Sequence, residues 1–206
     1  MSGLFVAFDG PGGAGKSTTV AAVAKILAAE GVPVAATTEP SCEPIGRLAR
    51  THTHTFSGLA LACLVTADRY HHLDTLIRPS LAAGELVLCD RYTASSLVLQ
   101  AGLDEVPEGF VRELNRFAPP PDLQVLLTAP AAELRDRLAV RGSHGRFEDD
   151  PHTAAREVAL YERVADQLVR EGVAVEVVDT SPGVEHVAAH LTSRIRALWS
   201  QERTVA

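Results

Sequence analysis

The stretch at residues 10–17, Gly-Pro-Gly-Gly-Ala-Gly-Lys-Ser, constrains this chain more than any other, because it fits the pattern G-x-x-x-x-G-K-[ST]. It follows an apolar run at residues 4–8 and precedes a segment whose larger apolar residues recur near a helical period. The sequence therefore predicts a loop between a strand and a helix. Glycines let backbone N–H groups curl around an anion, and the start of the helix adds its positive dipole end. We call residues 10–17 the phosphate loop.

The phosphate loop predicts a binding site for the phosphates of a nucleotide. Lys16 is expected to reach the β- and γ-phosphates, and the Ser17 hydroxyl is expected to bind Mg²⁺. The alternative is a Gly-rich turn that binds no ligand, but here the motif has the apolar run before it and the helical pattern after it that it requires. The expected contacts with the phosphates are Gly10, Gly12, Gly13, Ala14, Gly15, Lys16, Ser17 and Thr18.

Length, charge and cysteine content limit the possible functions. A chain of 206 residues suits one sizeable α/β domain, so we expect a single domain over residues 1–206. The formal net charge of −7 argues against a nucleic-acid partner. Three cysteines without a C-x-x-C spacing indicate reduced thiols and a cytoplasmic location. No apolar run reaches membrane-spanning length, so we expect neither a targeting segment nor a membrane partner.

Five apolar runs alternate with helical patterns along the chain. The runs lie at residues 4–8, 32–36, 86–90, 123–127 and 173–178. This alternation predicts an α/β fold with a five-stranded parallel sheet covered by helices on both faces. Ligands of such sheets bind at the carboxyl ends of the strands, which is where the phosphate loop begins.

The third apolar run closes on a carboxylate, Asp90. This is how a Walker B strand ends, and its Asp would hold Mg²⁺ directly or through water, because a buried strand end positions the charge rigidly beside the phosphates. An N-cap for the segment that begins near Thr93 is the alternative interpretation of Asp90.

A basic segment follows the helical pattern at residues 131–140. Two arginines, Arg141 and Arg146, and two glycines fall within six residues. Arginine stabilises charge on a transferring phosphoryl group, and flanking glycines let a segment close and reopen. We therefore predict a short lid at about residues 141–150, with a solvated connection between helices as the alternative.

Together these features resemble the thymidylate kinase family, a branch of the P-loop nucleoside monophosphate kinases, over nearly the full length. Three further segments carry the resemblance: Thr-Thr-Glu-Pro at 37–40, Asp-Arg-Tyr at 90–92 and Arg-Phe-Glu at 146–148. The resemblance implies a P-loop NTPase fold of the nucleotide kinase type, ATP and Mg²⁺ as cofactors, and a nucleoside monophosphate as acceptor. It also implies a homodimer.

The resemblance further implies roles for individual residues. Arg91 is expected to contact the acceptor phosphate, Arg69 to lie beside the acceptor base, and Arg141 to contact the donor nucleotide. The implied catalytic residues are Lys16, Asp90, Arg91, Arg146 and Asp9, with Ser17 and Asp90 on the metal. The implied acceptor pocket comprises Asp9, Glu39, Pro40, Val65, Arg69, Arg91, Ser95, Ser96, Leu99 and Gln100.

Three positions depart from the family pattern, all of them on the acceptor side. Gly12 stands where many relatives carry a carboxylate near the acceptor sugar, Val65 where an aromatic ring would stack on thymine, and Leu99 where relatives have Tyr. A lost stacking ring forfeits about 0.5–1.5 kcal/mol. The acceptor is accordingly dTMP or a related pyrimidine nucleotide, with another or a modified nucleotide as the alternative.

Two other activities fit parts of the sequence. A kinase of an unphosphorylated nucleoside would need a general base, for which Asp9 is the candidate, but Arg69 and Arg91 would then lack an anionic target. A ParA/MinD-like ATPase switch would share the glycine-rich string, but its signature lysine is Pro11 here.

Overall fold

The computed structural model describes residues 3–142, 147 and 153–205. Its five strands pair in parallel in the order β2-β3-β1-β4-β5, which confirms the predicted sheet. They are β1 (Leu4–Asp9), β2 (Val34–Thr38), β3 (Leu86–Asp90), β4 (Leu123–Thr128) and β5 (Val175–Asp179).

The two edge strands begin two residues later than the apolar runs predict. The N–H of Val32 donates to the carbonyl of Leu27, and the N–H of Val173 donates to the carbonyl of Leu168. Both valines therefore close the helix before them instead of joining the sheet. This ending places a glycine with positive φ directly before each valine, Gly31 and Gly172.

Helices occupy most of the remaining described chain. They are α1 (Lys16–Ala29), α2 (Pro44–Thr51), α3 (Gly58–His72), α4 (Arg78–Ala82), α5 (Thr93–Ser96), α6 (Glu108–Leu114), α7 (Ala131–Arg141), α8 (Thr153–Arg170) and α9 (Val184–Val205). Among these described helices, none combines the length and the apolar character that a membrane span requires.

Two stretches are π-helical, Leu73–Ile77 between α3 and α4 and Leu97–Leu103 after α5. The first ends two residues before Pro79, which lacks the N–H that a regular helix would use at that point. The second widens the helical turn that carries Leu99 and Gln100. Such widened turns are frequent at functional sites, and both residues belong to the predicted acceptor pocket.

Strand β1 forms the centre of the core and is buried along its whole length. Leu4, Val6 and Phe8 pack in one apolar cluster with residues of α1 and α9, while Phe5 and Ala7 pack in another with Leu73 and Ile77. This alternation follows from the two-residue period of a strand. Because helices cover both faces, the free end of the sheet is its carboxyl edge, where the phosphate loop leaves β1.

A test of this packing uses Gly10, which has φ of +150° and whose added Cβ would lie 2.2 Å from the carbonyl oxygen of Leu127. Gly10→Ala is expected to lower the free energy of unfolding by more than about 3 kcal/mol, because strain and a backbone clash combine. Gly172→Ala is the matched control, since Gly172 has φ of +84° but no described atom within 4 Å; its loss should be about 1–2 kcal/mol. Equal losses in urea unfolding would contradict this account of the loop.

Candidate active site

The phosphate loop places Lys16 inside a curl of its own backbone. The Lys16 side chain is 7% exposed, and its Nζ donates to the carbonyl oxygens of Gly10 and Pro11, each at 2.8 Å. Burial, together with the nearby Arg91 guanidinium, lowers the pKa of Lys16 to about 8. The ammonium therefore lies in a site that becomes more favourable to its charge when an anion enters the loop.

Ser17 and Asp90 meet beside Lys16. The Ser17 hydroxyl donates to Asp90 Oδ2 at 2.5 Å, whereas the buried Oδ1 of Asp90 has no hydrogen-bond partner among the described residues. A buried carboxylate oxygen without a partner is costly and indicates a group that completes it. A hydroxyl and a carboxylate are hard oxygen donors of the kind that Mg²⁺ prefers, so this pair fits the predicted metal site.

Arg91 follows Asp90 in an uncommon backbone conformation, with φ of 72°. The Arg91 N–H donates to the carbonyl of Phe8 at 2.7 Å, and its Nη1 lies 3.4 Å from Ser95 Oγ. A non-glycine residue at positive φ persists only when the surroundings hold it, and such residues cluster at functional sites. The turn directs Arg91 into the same cavity as Lys16.

Asp9 is fully buried and lies behind that turn. Its Oδ1 accepts the backbone N–H groups of Tyr92 at 3.1 Å and Ser95 at 3.0 Å, and its Oδ2 accepts the Gln124 amide at 3.0 Å. Asp9 is not among the residues that line the cavity. Asp9 therefore supports the turn that carries Arg91, and its predicted contact with substrate stays a prediction.

Arg69 forms the opposite end of the site and is 1% exposed. Its Nε donates to Glu39 Oε2 at 2.7 Å, its Nη1 to Ser96 Oγ at 3.0 Å and Asn115 Oδ1 at 2.5 Å, and its Nη2 to the Tyr92 carbonyl at 3.1 Å. A guanidinium has five N–H groups. These four bonds fix its plane, and the fifth N–H has no acceptor among the residues that the structure describes.

Glu39 orients Arg69 and has a partner of its own. Its Oε1 lies 3.3 Å from His72 Nδ1, while His72 Nε2 lies 2.7 Å from Thr37 Oγ1. His72 was not among the predicted site residues. A metal ion could be shared by Glu39, His72 and Cys89, whose ligand atoms lie close together. Because Glu39 already accepts the hydrogen bond of Arg69, we assign this cluster a structural role.

One cavity of about 910 Å³ joins the two ends. Most of the predicted contacts lie in its wall, namely Gly13, Gly15, Lys16, Ser17, Thr18, Glu39, Pro40, Val65, Arg69, Asp90, Arg91, Ser95, Ser96, Leu99, Gln100 and Arg141. Gly10, Gly12 and Ala14 lie in the buried backbone of the phosphate loop. Arg141, which ends α7, and Phe147 represent the predicted lid; Arg146 and Glu148 lie outside the described residues.

Among the polar residues that sequence reasoning missed are Glu157, which lines the cavity, and Tyr161, which lies one turn later on α8. The Gly12 N–H donates to Glu157 Oε2 at 2.7 Å, and the Tyr161 hydroxyl lies 3.1 Å from Ser95 Oγ. Their signal was present in the sequence. Glu157 falls on the buried stripe of the helix, where the other members are mainly apolar, and a carboxylate on such a stripe marks a specific partner.

The comparisons with known proteins agree with this geometry. The family model described as thymidylate kinase matches residues 8–191. The chain is 33% identical to a thymidylate kinase of Exiguobacterium sibiricum, with 93% of each chain covered. It is 36% identical to a thymidylate kinase of Bifidobacterium longum and 32% identical to a probable thymidylate kinase of Thermococcus kodakarensis, with 96% and 97% of this chain and all of each relative covered. The chain therefore belongs to the thymidylate kinase family of nucleoside monophosphate kinases.

Proposed function

We propose that this enzyme transfers the γ-phosphoryl group of ATP to the phosphate of dTMP, giving dTDP and ADP, with Mg²⁺ bound at the donor phosphates. One observation supports the proposal: a single cavity has the phosphate loop at one end and Arg69 at the other. Four of the five N–H groups of Arg69 donate to protein oxygens. The distance between attacking and leaving groups is then set by rigid elements. Positioning and charge neutralisation account for most of the catalysis of phosphoryl transfer.

The donor end uses the phosphate loop. Its backbone N–H groups and Lys16 hold the β- and γ-phosphates, and Ser17 and Asp90 hold the metal. When bound, Mg²⁺ neutralises charge on the donor oxygens. Arg141 lies in the cavity wall near this end, and Arg146 is proposed to act with it.

The acceptor end discriminates by hydrogen bonding. Arg91 binds the acceptor phosphate, while the remaining N–H of Arg69 donates to the O4 carbonyl of thymine. Cytosine carries an amino group at that position, which would place a donor against a donor. Gln100 lines the same cavity, and its amide can both donate to and accept from the base edge. Val65 and Leu99 give the base apolar walls.

The two alternative activities lose their support. A nucleoside kinase would need Asp9 as its base, yet both oxygens of Asp9 accept protein hydrogen bonds and the side chain is fully buried. Because the chain belongs to the thymidylate kinase family, no observation still supports the ParA/MinD-like ATPase switch. The single domain over residues 1–206, its lid at 141–150, the homodimer and the cytoplasmic location stay predictions from the sequence.

The first prediction from this function concerns Lys16 and pH. Because its pKa is lowered to about 8, about half of these amines are uncharged at pH 8 in the free enzyme. ATP brings negative charge that favours the ammonium form, so binding at pH 8 should take up about half a proton, and affinity for ATP should fall as pH rises above 8. Calorimetry in two buffers of different ionisation enthalpy measures this uptake.

The matched control for this measurement is Lys25→Met, since Lys25 lies on the same helix and is exposed. That variant should keep the proton uptake, whereas Lys16→Met, titrated at higher ATP concentration, should lose it. A binding heat that is the same in both buffers for the unmodified enzyme would contradict the lowered pKa.

The acceptor is tested by ADP release with ATP and Mg²⁺ against dTMP, dUMP, dCMP, dGMP and unphosphorylated thymidine. The value of kcat/KM should be highest for dTMP. It should be about 5- to 150-fold lower for dCMP, because an N–H of Arg69 would be left without its acceptor, and thymidine should give only background release. Lys16→Ala serves as the blank. A purine or cytosine nucleotide as the best acceptor would overturn the assignment of dTMP.

Val65 gives a separate prediction, because it lines the cavity one helical turn before Arg69. Val65→Phe should lower KM for dTMP by roughly 2- to 10-fold, since a ring stacked on the base adds about 0.5–1.5 kcal/mol. Leu59→Phe, on the same helix at a position that is 57% exposed, should leave KM unchanged. A higher KM in Val65→Phe would contradict the stacking and mean that no room for a ring remains between position 65 and the base.

A further inference from the structure

A carboxylate reaches the phosphate loop from a distant part of the chain. Glu157 lies on α8 and is 3% exposed, and its Oε2 accepts the N–H of Gly12 at 2.7 Å. The side chain also lines the cavity that contains Lys16 and Arg69. It therefore stands at the boundary between the loop and the acceptor pocket, next to a residue that has no side chain of its own.

Positive groups surround this carboxylate and make its burial tolerable. Lys16 and Arg91 both interact electrostatically with Glu157, and the Gly12 N–H adds a direct hydrogen bond. A buried charge is retained only when it is paired and hydrogen-bonded. The site therefore holds Glu157 as a fixed acceptor of hydrogen bonds inside the cavity.

The chemistry of a carboxylate limits what it can face. It accepts hydrogen bonds and donates none when ionised, so it repels a phosphate and suits a hydroxyl group. In the proposed complex the acceptor phosphate lies at Arg91 and the base at Arg69, which leaves the sugar in the middle of the cavity. A deoxynucleoside monophosphate has one free sugar hydroxyl, at the 3′ position.

Resting on the proposed function, we infer that Glu157 accepts a hydrogen bond from the 3′-hydroxyl of the acceptor deoxyribose and is a specificity-determining residue. The carboxylate missing from the loop at Gly12 is thus supplied by α8, and Gly12 contributes the backbone N–H that holds it in place. The carboxylate that many relatives carry at the position of Gly12 is therefore carried by Glu157 in this chain, with the same role beside the acceptor sugar.

The first experiment compares dTMP with 3′-deoxythymidine monophosphate as acceptors for the unmodified enzyme and needs no variant. The value of kcat/KM should be about 10- to 100-fold higher for dTMP, because a hydrogen bond to a charged acceptor is lost in the analogue. An enzyme that does not phosphorylate dTMP refutes the proposed function. An enzyme that phosphorylates both acceptors equally refutes only the role of Glu157.

The second experiment uses Glu157→Gln, with Glu162→Gln as its control because Glu162 lies exposed on the same helix. Glu157→Gln should reduce kcat/KM for dTMP by about 10-fold more than it reduces kcat/KM for the 3′-deoxy analogue, because only dTMP has the hydroxyl that the carboxylate accepts. Glu162→Gln should change neither value. Equal losses for both acceptors would show that Glu157 merely braces the loop, and would overturn the inference.

A third variant moves the carboxylate back into the loop. Gly12 is not among the glycines with positive φ, so an aspartate there avoids the strain of the left-handed region. The double variant Gly12→Asp/Glu157→Gln should recover most of the preference for dTMP over the 3′-deoxy analogue. A folded double variant that recovers none of it would count against a shared position for the two carboxylates.

Discussion

The carboxylate of Asp9 is the interaction on which the geometry of the site depends. It ends β1 and accepts hydrogen bonds from the backbone of Tyr92 and Ser95, which follow β3, and from the Gln124 side chain on β4. The buried carboxylate of Asp9 thereby holds the three adjacent strands β3, β1 and β4 together at their carboxyl edge. Because the backbone of Arg91 lies directly before two of these hydrogen bonds, they hold its strained φ in place.

The cations of the site are ordered by the protein before substrate arrives. Four of the five N–H groups of Arg69 are bound to protein oxygens, and Lys16 rests on two carbonyls of its own loop. Dipoles and charges that are already oriented need little reorganisation during reaction, which is the largest electrostatic advantage an enzyme has. The burial that orders Lys16 is also what lowers its pKa.

The sequence predicted the features whose signals are local. The phosphate loop, Asp90 at a strand end and the alternation of strands with helices each depend on a few neighbouring residues. Errors arose where distant contacts decide. Val32 and Val173 are apolar enough for strands, yet each bonds back to its preceding helix. Asp9 is next to the loop in sequence, yet its carboxylate accepts hydrogen bonds from Tyr92, Ser95 and Gln124, which lie far away along the chain. The contact between Gly12 and Glu157 spans 145 positions, which no local pattern encodes.

In the acceptor pocket, a substitution in one segment of the sequence is weak evidence that the substrate has changed. Its polar groups come from separate elements: Arg69 from α3, Ser95 and Ser96 from α5, Glu157 from α8. These elements pack in one apolar cluster, to which Ala62 of α3, Ala94 of α5 and Tyr161 of α8 belong, so a carboxylate on one element can reach a pocket that the others line. The glycine at position 12 leaves room and an N–H for the incoming side chain. In the proposed complex the carboxylate beside the acceptor sugar therefore comes from α8, and the phosphate loop contributes only the N–H of Gly12 that holds it.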